Sequence, residues 1–262
     1  KRSNAELFAQ AEKSEYMIDR YDAILALKAV TFEEKANLLM KRFEAEKHHG
    51  IRAEIASQLA NQTSESAMAF YKKVVADSKS EVKSAFIASD SLVSQHLEIY
   101  KSLMSDSSNV VAEAALDRIM KANDINKDVK VQLLSVLENT PGQNNNIRAK
   151  WLEYAIRYEF KGKSGVKTNT KTLVMLAGPL YEFRTRNNAA SAIERLNLMD
   201  ADVVNNLFDA ILSYNYRLSG PCQEVLKKLC KDGNNVKVYN KVLAKLSPEQ
   251  RAQLKLKGID LL

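Results

Sequence analysis

The chain has 262 residues, 45% of them hydrophobic and 27% charged, which is enough apolar content for a long core and too much for a disordered chain. Only 8 glycines and 4 prolines are spread over that length, too few for the many tight turns of a barrel or sandwich. The net charge of +7 is uneven: residues 1–140 carry 19 Lys and Arg against 21 Asp and Glu, and residues 141–262 carry 20 against 11.

A basic second half suits an anionic partner, and equally an acidic domain of the same protein. No run approaches the roughly 20 apolar residues that cross a bilayer. The opening Lys1-Arg2-Ser3-Asn4-Ala5-Glu6 has neither a methionine nor the apolar core of a signal peptide. A processed protein or, in preference, a fragment of a longer polypeptide is expected.

Along the chain, apolar residues recur at spacings of three and four, as in Ile18, Tyr21, Ala23, Ile24 and Leu27, which predicts helices throughout. Thr31, three residues before Glu34, predicts a capping box. His48 and His49 precede Gly50, and the expectation is that they close a helix rather than bind metal. Ile51, Ile55 and Leu59 then predict the next helix. Several helices open alike, with a β-branched residue usually followed by a polar or basic one: Ile18-Asp19-Arg20, Ile51-Arg52-Ala53, Val82-Lys83-Ser84 and Val110-Val111-Ala112. These openings lie roughly 30 residues apart, the length of two helices and two turns, which is a repeat period.

The clearest copy is Asp106-Ser107-Ser108-Asn109-Val110-Val111-Ala112-Glu113-Ala114-Ala115-Leu116, where Asp or Ser caps the start and small residues permit close helix approach. Asp128-Val129-Lys130-Val131 and Ile147-Arg148-Ala149-Lys150-Trp151-Leu152 open looser copies. Lys161-Gly162-Lys163-Ser164-Gly165-Val166-Lys167 predicts an exposed, mobile connection. Cys222 and Cys230 fall on one helix about 12 Å apart by its rise per residue, too far to pair. Ser247-Pro248-Glu249 predicts a helix start with serine at the cap. The fold expected is all-α: one α-solenoid or superhelix of HEAT-like (ARM-like) antiparallel helix pairs over residues 1–262.

Catalytic chemistry is not legible. Gly162-Lys163-Ser164 lacks the earlier glycine of a phosphate loop, since Arg157 stands there. The histidines, His48, His49 and His96, form no H-E-x-x-H, and His96 is alone on its helix. No serine has the flanks of a nucleophile. What remains is an aromatic and arginine pattern in the basic half: Tyr154, Arg157 and Tyr158; Tyr181, Phe183, Arg184 and Arg186; Tyr214, Tyr216 and Arg217. Of these, Arg157, Tyr181, Arg184, Arg186 and Arg217 are the candidate binding residues, because bidentate arginines beside rings suit carboxylate or phosphate groups. The competing and preferred reading is packing, with rings filling gaps between repeats and arginine stems covering them.

Tyr21-Asp22-Ala23-Ile24-Leu25-Ala26-Leu27, the segment from Ser105 to Leu116, Ile147-Arg148-Ala149-Lys150-Trp151-Leu152-Glu153, Tyr181-Glu182-Phe183-Arg184-Thr185-Arg186 and Asn205-Asn206-Leu207-Phe208-Asp209-Ala210 resemble the helical C-terminal domain of bacterial aminopeptidase-N-like zinc metallopeptidases. The resemblance spans most of the chain and includes no catalytic signature. It implies a non-catalytic domain that covers a separate catalytic domain and restricts the access of peptides. Its partners would be that domain and the peptide substrate. Zinc would belong to the catalytic domain and no cofactor to this chain. A periplasmic or exported location follows, as for many bacterial members. The alternative is a stand-alone HEAT-like scaffold for a protein or peptide partner. Nucleic acid is the weakest reading, because the acidic content of the first half breaks any continuous basic groove.

Overall fold

The computed structural model describes residues 2–138 and 144–260. Every regular element among them is helical, as the spacing of apolar residues predicts. The chain divides into two compact units, Lys1–Asn126 and Lys127–Leu262.

The first unit contains α1 (Asn4–Lys13), α2 (Met17–Ala26) with a 3-10 turn at Leu27–Ala29, α3 (Phe32–Ala45), α4 (His49–Gln58), α5 (Glu65–Val75), α6 (Ser80–Ser89), α7 (Leu97–Met104) and α8 (Asn109–Lys121). Successive helices pair, α1 with α2, α3 with α4, α5 with α6 and α7 with α8. The even-numbered helices then stack on one another in order, while α1 lies on α3 and α5 on α7. This two-layer stacking is the arrangement expected of helical repeats, whose apolar faces are buried only by their neighbours. Ile24, Ile51, Ile55, Phe86 and Leu116 fill the shared core.

The recurring openings lie in the first turns of α2, α4, α6 and α8, and the structure gives them a physical role. The fourth residue of each of the first three helices is basic and reaches forward to an acid in the turn before the next even-numbered helix. Arg20 Nε donates to Glu46 Oε2 at 2.9 Å, Arg52 Nε to Asp77 Oδ2 at 2.7 Å and Lys83 Nζ to Asp106 Oδ2 at 2.5 Å. Each acid also accepts a backbone N–H two residues on, from His48 at 3.0 Å, Lys79 at 2.9 Å and Ser108 at 2.8 Å. One carboxylate therefore shapes its own turn and fixes the spacing to the preceding repeat. The series stops at α8, whose fourth residue is Ala112.

One expectation is corrected in this unit and another is met in part. His48 and His49 do not close a helix: α3 ends at Ala45, His48 is the N-cap of α4 and His49 its first residue. Gly50 lies inside α4, where an added Cβ would stand 3.1 Å from the His48 ring, so this glycine serves close approach and not helix termination. His96, the one histidine of its segment, has partners that its sequence position did not indicate. It is the fully buried N-cap of α7, with Nδ1 2.9 Å from Asp90 Oδ2 and Nε2 2.9 Å from the Gln62 carbonyl. Its ring sits beside Tyr71, 5.0 Å between centroids, and Phe86. The Thr31 box forms only in part: its hydroxyl donates to Glu34 at 2.9 Å but accepts no helix N–H.

The second unit contains α9 (Lys127–Glu138), α10 (Asn145–Arg157), α11 (Val166–Leu176), α12 (Phe183–Arg195), α13 (Ala201–Leu212), α14 (Tyr216–Leu229), α15 (Gly233–Leu243) and α16 (Pro248–Leu256). Here α10, α12 and α14 stack in order, and α11, α13 and α15 form the other layer. The connection between α10 and α11 turns at Gly162 and Gly165, both at positive φ, and the Glu138 carboxylate accepts the Lys163 N–H at 2.7 Å. Trp151 is buried and donates its indole N–H to the Leu134 carbonyl at 2.9 Å. The predicted serine cap at Ser247 is completed by Gln250 into a capping box. Cys222 is buried in α14 and Cys230 caps the end of that helix, both as free thiols.

Candidate functional site

The N-terminal ends of α10, α12 and α14 lie side by side. Asn146 Oδ1 of α10 meets the Thr185 hydroxyl and the Asn188 amide of α12 at 3.3 and 3.1 Å. Glu182 caps α12, its carboxylate accepting the N–H groups of Arg184 and Thr185 at 2.8 Å each. Asn215 caps α14 by accepting the Arg217 N–H at 3.0 Å.

Pro221 lies inside α14 and has no N–H to give to the carbonyl four residues earlier, that of Arg217. Asn187 of α12 supplies the missing donor, its Nδ2 standing 2.7 Å from that carbonyl. The same amide's oxygen accepts from Cys222 Sγ at 3.6 Å. Burial pushes the Cys222 thiol up to about 11, so it keeps the proton it donates. A gap in one helix is thus closed by its neighbour, and Arg217 is held in a fixed place beside α12.

Arg184 and Arg217 project from this end exposed, with no ion pair to Asp or Glu among the described residues, although the Arg184 charge acts on the adjacent Glu182 carboxylate. The Arg184 guanidinium lies 5.7 Å from the Phe183 ring centre, and that of Arg217 lies 5.8 Å from the Tyr216 ring centre. The turns leading into the two helices and the first residue of α14 add large apolar groups in water: Leu180 is 91% exposed, Tyr214 101% and Tyr216 74%. Tyr181, in the first of these turns, is half-buried. Three of the five sequence candidates, Tyr181, Arg184 and Arg217, therefore share one edge.

The other two do not join them. Arg186 is buried and its donors are engaged inside the fold, by the carbonyls of Ala177 at 3.1 Å and Asn206 at 3.3 Å and by Asp209 at 2.7 Å, so it ties α12 to the end of α11 and to α13. Arg157 lies at the opposite end of α10. There it shares the buried Glu153 carboxylate with Arg195 of α12, at 3.0 and 2.7 Å. The edge also depends on Asn187, which sequence reasoning did not single out; Pro221 within a helical run was the one visible sign that a carbonyl there needed another donor.

Elsewhere in this unit a shallow cleft of about 390 Å³ separates α11 from α13, lined by Lys171, Met175, Asp200 and Asp202 among others. No group of three or more His, Cys, Asp or Glu among the described residues could hold a metal ion. No helix among them is long and apolar enough to cross a membrane.

No protein-family model, curated protein or solved structure matches the chain.

Proposed function

We propose that the chain is a non-catalytic helical-repeat domain of a zinc aminopeptidase, covering the catalytic domain and restricting which peptides reach it. The observation that carries the reading is the joining of two segments on which the resemblance rests. Arg186, at the end of Tyr181-Glu182-Phe183-Arg184-Thr185-Arg186, bonds the Asn206 carbonyl and the Asp209 carboxylate of Asn205-Asn206-Leu207-Phe208-Asp209-Ala210. The exposed edge beside them suits a role in contact with another surface. In this reading the zinc belongs to the catalytic domain, which with the peptide is the partner, and the location is periplasmic or exported.

The test is the native gene product purified from its source, with its intact mass, zinc content and aminopeptidase activity measured on one sample. A mass far above 29.4 kDa with bound zinc and peptide-trimming activity supports the proposal. A zinc-free product near that mass sinks it and leaves a stand-alone scaffold for a protein or peptide partner, a second reading that the unpartnered aromatic and arginine edge favours. Nucleic acid is disfavoured in the first unit, where Arg20, Arg42, Arg52 and Lys83 are all engaged by buried acids.

A further inference from the structure

We infer that the edge made by the α11–α12 and α13–α14 turns docks an extended acidic segment of a partner protein, one carboxylate on Arg184 and another on Arg217. The inference rests on reading this edge as a contact surface and adds the chemistry of what it meets. Four features support it. Among the described residues neither guanidinium forms an ion pair with Asp or Glu, although the Arg184 charge acts on the nearby Glu182 carboxylate, whereas Arg20, Arg52 and Lys83 of the ladder in the first unit are all paired. Each stands near a ring, which holds the planar fork at the surface; Arg217 Nε donates to the Tyr216 hydroxyl at 3.3 Å, and its terminal N–H groups face solvent.

Their separation is set by structure and not by chance, because Asn187 binds the Arg217 carbonyl and so fixes the first turn of α14 against α12. Packed helices lie about 8–10 Å apart. In a polyproline-II segment, residues three apart share a face and are separated by about 9 Å, comparable to the axis spacing of the two helices that carry the arginines. Finally, Leu180, Tyr214 and Tyr216 offer apolar area around the two charges, the mixture found at protein interfaces. A nucleic-acid backbone fits less well, since its affinity is built from many phosphate contacts and this edge presents two cations.

The experiment uses the full chain and a fluorescein-labelled nonapeptide of three glutamate-proline-proline repeats, read by fluorescence anisotropy at low salt. Saturable binding is expected, roughly tenfold weaker for the same peptide with glutamine in place of glutamate. Arg184→Ala together with Arg217→Ala should weaken it at least as much, and Arg217→Lys, which keeps the charge but loses the fork, by less. Arg157→Ala, at the far end of α10, should leave it unchanged. Because both edge arginines are exposed and unbonded to acids, unaltered circular dichroism and melting of the double variant are expected and are checked first. Equal binding of the glutamate and glutamine peptides, an unaffected double variant, or no binding at all overturns the inference. So does a 12-nucleotide single strand that binds more tightly than the acidic peptide through the same two arginines. A zinc-free native product would remove the peptidase reading alone, whereas failure with these peptides removes the edge alone.

Discussion

Glu46 stands at the centre of the densest charge cluster of the first unit. Burial on its own would raise the carboxyl, but bonds from Arg20, the His48 N–H and Arg42 outweigh it and hold the group at about 2. A carboxyl depressed in the folded state stabilises fully above its unfolded value near 4.5 and loses that contribution as pH falls towards 2. The difference amounts to ~3 kcal/mol. Urea unfolding of the Glu46→Gln variant followed against pH should show lower stability at neutral pH and a flatter acid limb than the parent; parallel limbs would count against this assignment. His96 has comparable weight. Replacing it by alanine takes the imidazole from the buried Asp90 carboxylate, which keeps the Leu92 N–H, and is expected to cost ~3 kcal/mol in the same measurement. Neither cluster was legible from sequence, because His96 meets Asp90 and Gln62 through turns whose paths no local pattern specifies, and Gly50 carries the composition of a helix end while lying inside one.

The helix openings, by contrast, were visible in advance. Ile18, Ile51, Val82 and Val110 all fall in first turns, but only Ile51 and Val82 are buried where one helix lies on the next, while Ile18 and Val110 face solvent. The basic residue near each of the first three was visible too, but its acid partner lies 26, 25 or 23 residues away, beyond what spacing within a helix can connect. At this scale Asn187→Asp is the informative change: it retains shape, removes the donor to the Arg217 carbonyl and sets a negative charge against it. A loss of ~1 kcal/mol is expected by urea unfolding, the net worth of a hydrogen bond whose carbonyl water can reach. The accompanying Pro221→Ala variant restores the helix N–H and should lessen that loss, an outcome that a purely charge-based effect would not give.

Across the whole molecule the division into two compact units was not legible, since the repeat period continues through Asp128 and Ile147 without a break in composition. Each unit has its own core, and stability in helical repeats is largely a matter of nearest neighbours. The single tryptophan, Trp151, lies in the second unit. His96→Ala should therefore shift the unfolding curve followed by circular dichroism while leaving the curve followed by tryptophan fluorescence near its parent position; equal shifts would mean that the chain unfolds as one body. Of the binding edge, Tyr181, Arg184 and Arg217 were readable as an aromatic and basic pattern. What separated them from Arg186 and Arg157 was burial and helix end, which composition does not encode.

The forward reach of Arg20, Arg52 and Lys83 also bears on how the chain is made. A ribosome delivers each basic residue before the acid it will meet, so at about 5–20 residues per second Arg20 waits on the order of a few seconds for Glu46. The member that waits is the one with a long stem, whose charged end can stay in water beside a half-built surface. The short carboxylate, which could not, emerges when its partner is already in place.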